Sequence, residues 1–257
     1  MNLLAALFGL AVVGSLTTSA LLHLEILEAS PGVLALILTA HAIFGGFFLK
    51  GYLDYRTLHR LVGQGRGELF SYAISVLAQR TRLPGFSDHY RVRHVQGALL
   101  AGLPNRALDA VSTFEGEVTE PRASDALDVM TGQVIANIEM GRRWWAEQSL
   151  ERAKAHPQAE RHRGLEAATA RLAWLRGDSD SAVSILSEMP EAAKWPFGPV
   201  SEARRQVWLG DALRDSGKMD SAREAFARAI ALSPHSFWGE EARRLRARLA
   251  SRAGEPV

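Results

Sequence analysis

Histidine is the side chain most able to move protons or hold a metal near neutral pH, and this chain carries eight. They are scattered. His89 and His94 stand five apart, whereas two ligands on one helix face need a separation of three or four, and His162 is enclosed by Arg161 and Arg163 with no His-Glu-x-x-His pattern. No Gly-x-Ser-x-Gly elbow is present, and the absence of cysteine excludes thiolate zinc sites, disulfides and a cysteine nucleophile together. Gly63, Gly65 and Gly67 alternate as in a phosphate-binding loop, yet no strand precedes them and no Gly-Lys-Ser/Thr ending follows, so a flexible hinge is the expectation. Acidic neighbours such as Glu240-Glu241 and Asp178/Asp180 fall where helices begin and read as caps that favour the helix dipole. No catalytic residue, cofactor site or metal site is therefore expected, and the protein is read as a non-enzyme.

The elements that would position any site divide the chain in two. Of 257 residues, the first 49 hold only two formal charges, Glu25 and Glu28. Leu3 to Leu22 is an uncharged run of about 30 Å if helical, and Val33 to Leu53 resumes the apolar pattern after Ser30-Pro31-Gly32. This predicts a transmembrane hairpin over residues 1–53, with spans at 3–22 and 33–53 and the lipid bilayer as its partner. Met1-Asn2-Leu3 lacks the basic start of a cleaved signal peptide. Lys50, Arg56, Arg60 and Arg66 follow the second span and the intervening loop has no Lys or Arg, which places the soluble part in the cytoplasm of a bacterial inner-membrane protein. His41 inside the second span is a functional candidate because ionisable groups are costly there. The net charge of +2 is too small to indicate nucleic acid.

Beyond residue 53 the patterning is helical. Residues 54–88 read as juxtamembrane helices and the hinge, with Leu69, Phe70, Ala73, Ile74 and Leu77 at helical spacing. Near the C-terminus, Leu209, Gly210, Gly217, Ala222, Phe226, Ala229 and Pro234 follow one another at spacings that resemble a tetratricopeptide repeat. The physical sense of the spacing is clear: small Gly210 and Ala229 allow two helices to approach, Gly217 turns the chain, Phe226 fills the layer and Pro234 ends the second helix. Gln206 and Leu213 stand where that family has tryptophan and tyrosine. A glycine followed after five residues by alanine and after nine by an apolar residue recurs at Gly141/Ala146/Leu150, Gly177/Ala182/Leu186 and Gly102/Ala107/Val111.

The resemblance implies an all-α fold: a transmembrane hairpin, then a tetratricopeptide-like α-solenoid of about four helix pairs over residues 89–252. Residues 236–252 form the capping helix, with Arg243, Arg244, Arg246 and Arg248 outward, and 253–257 a tail. It also implies a concave groove for a protein or peptide, which maps onto Arg171, Trp174, Arg204, Asp211 and Arg214, with Thr131 and Ile135 before them. Trp195 and Phe197 offer a second contact. The function expected is that of a membrane-anchored scaffold that helps assemble a membrane-associated complex. The alternative is an accessory subunit of a transport or biosynthetic complex in which the hairpin and His41 act. Two-span proteins with helical repeats associated with haem biosynthesis or cytochrome maturation are similar in layout, without a shared motif.

Overall fold

Five glycines set the rhythm of this chain. Gly65, Gly102, Gly141, Gly177 and Gly217 all have φ between 69° and 88°, the left-handed region that a Cβ disfavours. At each, the same pair of backbone bonds closes the preceding helix. The longer of the two runs from Arg66 to Leu61, Leu103 to Ala98, Arg142 to Asn137, Asp178 to Ala173 and Lys218 to Leu213, at 2.8 to 3.0 Å. This is the Schellman arrangement, in which a left-handed residue lets amides reach back to otherwise unpaired carbonyls.

The computed structural model describes residues 56–81, 84–117, 122–191 and 197–253. Residues 58–63 are helical and are followed by α1 (Gly67–Arg80), α2 (Pro84–Leu100), α3 (Pro104–Glu117), α4 (Ala123–Glu139) and α5 (Arg143–Lys154). A short 3₁₀ turn (Ala159–Arg161) leads to α6 (Arg163–Leu175), α7 (Ser179–Glu188), α8 (Gly198–Asp215), α9 (Met219–Leu232) and α10 (Phe237–Ala253). Among the described residues there is no strand, so the all-α expectation holds. Three-residue turns join α2 to α3, α4 to α5, α6 to α7 and α8 to α9, and each such pair packs on itself.

The positions picked from the repeat spacing are core positions. Ala107, Ala146, Ala182 and Ala222 are wholly buried, and Val111, Leu150, Leu186 and Phe226 nearly so. A Cβ on Gly210 would lie 2.5 Å from the Phe226 ring, which explains the glycine: the ring occupies the space a side chain would need. Asp178 caps α7 by accepting the amide of Ser181 at 3.1 Å, and Pro234 follows the end of α9. Arg244, Arg246 and Arg248 are exposed on α10, while Arg243 and Arg244 pair with Glu240 and Glu241.

Several expectations need correction. Gly63 to Gly67 is no hinge: it is a fifth copy of the turn, joining helical residues 58–63 to α1, with Phe70 and Ile74 buried five and nine residues after Gly65. Leu69, expected in the core, is 51% exposed because the buried stripe of α1 runs through Phe70, Ser71, Ile74 and Ala78. The integral-membrane, inner-membrane localisation with a cytoplasmic soluble domain is also corrected. Among the described residues no helix is long and apolar enough to cross a membrane, since each carries charged side chains at the spacing of a solvated face. The hairpin over residues 1–53, with His41, lies outside the described residues, as does Trp195.

Residues Leu58–Val257 form one compact unit with a continuous core. Within this unit the first helix pair meets the last. The rings of His59 and Phe197 lie 4.4 Å apart, Phe70 and Phe197 stand edge to face at 5.9 Å, and a Cβ on Gly65 would strike the His235 carbonyl. Phe197 is therefore buried, and α2 touches α8.

Candidate functional site

The first helices of successive pairs, α2, α4, α6 and α8, contact one another in order, and α8 returns to α2. Gly132 permits the close approach of α4 to α2, since a Cβ there would lie 2.3 Å from Val95. These helices line a cavity of about 310 Å³ that is open to solvent. Its lining mixes apolar Leu99, Leu100, Ile135 and Phe197 with polar Arg93, Gln96, Asp128, Thr131, His162 and Arg163, and α8 adds Ser201 and Arg204.

His162 caps α6. Its Nδ1 accepts the Leu165 amide at 3.2 Å, so the ring proton sits on Nε2 and is donated to Asp128 Oδ1 at 2.9 Å. Thr131 Oγ1 lies 3.3 Å from the same Nδ1. A hydroxyl, an imidazole and a carboxylate in this order suggest a nucleophile, a base and an orienting acid. The order fails here because the Nδ1 lone pair that would take the hydroxyl proton already serves the helix amide. His162 is a cap that ties α6 to α4.

The cations of the cavity are unevenly matched. Arg93 donates to Gln96, and its Nε is buried without a hydrogen-bond partner. Arg163 is exposed and is ion-paired with no described residue. Arg204 lies 4.9 Å from the Trp208 ring and makes no hydrogen bond to a described residue. Burial pulls its guanidinium down to about 10, still charged at neutral pH, and nearby Glu139 opposes that fall. Glu139 itself is pushed above the usual carboxylate range by burial, against the pull of Arg171 and Arg204, and its Oε1 has no hydrogen-bond partner.

Of the residues expected in the groove, Thr131, Ile135 and Arg204 line this cavity. The other four are bound to one another. Arg171 on α6 donates to Asp211 on α8 at 3.0 Å, and Arg214 meets the other oxygen of Asp211 at 3.0 Å and Asp215 at 2.8 Å. Trp174 Nε1 donates to Asp215 at 2.9 Å, while the Arg171 guanidinium stacks 3.8 Å above the Trp174 ring. Arg171 and Asp211 are only 13% and 8% exposed, so this cluster is a clasp between α6 and α8.

Spacing alone did not bring Arg93, Gln96, His162 and Ser201 to the cavity. The one local signal was His162 standing directly before an apolar-periodic helix, the position of a cap.

A second concavity, of about 340 Å³, lies on the opposite members of the helix pairs. Leu108, Val111 and Ser112 of α3 face Trp145, Gln148 and Ser149 of α5 across it, with Gln133 and Asn137 of α4 at its base and Arg142 and Arg152 beside it. Trp144 and Trp145 are 60% and 58% exposed and stand edge to face with centroids 4.6 Å apart. Arg152 reaches Glu115 only at 3.6 Å, and Arg142 is ion-paired with no described residue.

No protein-family model, curated protein or solved structure matches the chain.

Proposed function

We propose that this protein is a helical-repeat binding module, built on the tetratricopeptide plan of about four helix pairs preceded by a fifth, degenerate one. It docks an acidic, amphipathic segment of a partner protein in the groove between α3 and α5 and so helps to assemble a multiprotein complex. The observation that carries this reading is the pair of adjacent tryptophans, each more than half exposed, of which Trp145 lines that groove and Trp144 stands edge to face against its ring. Indole rings left in water forgo a large burial gain, and tryptophan and arginine are the residues most enriched where protein partners bind. Adjacent Arg142 and the loosely paired Arg152 favour acidic side chains in the segment that covers the rings. The Arg171, Trp174, Asp211 and Arg214 clasp supports binding indirectly, by holding α6 against α8.

A photo-crosslinking residue in place of Gln148, beside the groove, should give a discrete adduct in cells, and one in place of Met219, exposed on α9, should not. Trp144→Ala with Trp145→Ala should abolish the adduct while leaving the thermal transition in place. Equal labelling at both positions, or an adduct indifferent to the tryptophans, refutes the groove. Captured segments should share acidic side chains next to apolar ones, and a basic segment would overturn the charge assignment.

A further inference from the structure

The cavity between α2, α4, α6 and α8 has a composition that the docking reading leaves unexplained. Buried cations normally have a carboxylate within reach, because an unpaired one loses its hydration without return. The α6–α8 clasp obeys this rule, with Arg171 and Arg214 sharing Asp211 and Asp215. The cavity breaks it. Arg93 and Arg204, both half-buried, line it together with the exposed Arg163; no described carboxylate is ion-paired with any of the three, and the one acid of the lining, Asp128, is engaged by His162. Glu139, the acid that lies nearest in effect to Arg204, has its charge disfavoured by burial.

The backbone adds to this excess. Gly164 and Gly198, at the first turns of α6 and α8, both line the cavity, so two helix N-termini bring their partial positive charge to it. The hydroxyls of Thr131 and Ser201 and the amide of Gln96 supply neutral polar groups. The apolar side chains of the lining, Leu99, Leu100, Ile135 and Phe197, offer contact to carbon rather than to water. At about 310 Å³ the space falls at the small end of the range for organic ligands.

We infer that this cavity is a binding site for a small organic dianion, a dicarboxylate or a phosphate monoester, held by Arg93 and Arg204 and admitted past Arg163. Two negative charges balance the excess of the lining. Arginine forks match the paired oxygens of either group. The site stands apart from the tryptophan groove and does not depend on it.

The test uses the purified full chain. Thermal shift and titration calorimetry are run with succinate, glutarate, glycerol phosphate and inorganic phosphate, with acetate at matched ionic strength as the monoanion control. At least one organic dianion should raise the transition and bind in the millimolar range or tighter, ahead of acetate. Dicarboxylates ahead of glycerol phosphate identify a planar carboxylate site; the reverse order identifies a phosphate site. Inorganic phosphate binding as tightly as the organic ligands would overturn the role of the apolar side chains. Arg204→Gln and Arg93→Gln should each weaken binding about tenfold or more. Arg163→Gln, at an exposed position where folding is not at stake, should slow or weaken it, and Arg143→Gln on α5 should change nothing. The proposal falls if no dianion outperforms acetate, or if Arg163→Gln and Arg204→Gln bind as the parent does. Trp144→Ala/Trp145→Ala should bind the dianion normally, so failure of the docking groove and failure of this site are read separately.

Discussion

The two ends of the inner helix face use arginine in opposite ways. Between α6 and α8, Arg171 and Arg214 are each bonded to carboxylates, Arg171 stacks on Trp174, and the cluster closes on itself. A few residues earlier along α8, Arg204 opens on the cavity with Arg93 and Arg163, and none of the three has a described carboxylate bonded to it. The paired end is a structural joint, in which removing one partner strands a buried charge. The unpaired end gives up stability to keep cations available for something that arrives from outside.

Breaking this contrast begins with Asp211→Ala, which leaves Arg171 and Arg214 without their shared acceptor. It should cost about 3 kcal/mol or more in denaturant unfolding. A loss below about 1 kcal/mol would show that the clasp is no joint.

Acid comes next. Burial pulls His89 and His94 on α2 down to about 4 from 6.5, helped by Arg93 and Arg122 for the first and Arg106 for the second. Both are neutral in the folded chain and protonate first in the unfolded one. Their contribution is therefore complete above pH 6.5, drains away as pH falls toward 4, and changes no further below that. Each is worth on the order of 2 kcal/mol once screening is allowed for. His94→Gln keeps a hydrogen-bonding group opposite Ser71, which lies 2.6 Å from His94 Nε2, and should flatten the slope of stability across that window. An unchanged slope would dissociate the acid sensitivity from this histidine.

The glycine turns sharpen the comparison at the level of the backbone. Gly217→Ala meets no neighbouring atom and should cost about 1 kcal/mol, the strain of a left-handed residue with a Cβ. Gly102→Ala adds a collision with the Phe237 ring 2.5 Å away, so its loss of stability should be clearly larger. Equal losses would mean that the ring yields freely.

The smallest effect belongs to the unpaired end. Arg204→Met replaces an unmatched cation by an apolar chain of similar length, and its stability should stay within about 1 kcal/mol of the parent or rise. A loss as large as that of Asp211→Ala would make Arg204 part of the joint and erase the distinction.

Much of the fold was legible because its signals are local. Gly102, Gly141, Gly177 and Gly217, with an alanine five residues on, mark turns whose geometry a short peptide already demands. The same turn at Gly65 was read as a hinge because its alternating glycines lack the context of a phosphate loop, and it escaped the repeat spacing because Phe70 stands where the others have alanine; that ring lies against Gly97 on α2, where a Cβ would lie 2.1 Å from it. Leu69 was assigned inward from a spacing that fits two neighbouring stripes of α1 equally well, and the packing of α2 chose the other. The residues expected in the groove lie on α4, α6 and α8, yet nothing in Arg171, Asp211 and Arg214 as letters distinguishes a cation that binds a partner from one that binds its neighbour forty residues away.

By itself, then, the order of residues determined the helices, their turns and the alanine and aromatic positions that let paired helices close, since each depends on contacts within one or two turns of chain. Only the tertiary structure decided which arginines are satisfied. Charge pairing between α6 and α8, and the meeting of α2 with α8 that borders the cavity, join residues distant in the chain. Whether a guanidinium ends beside a carboxylate or beside an open space is set by that closure, which no local spacing records.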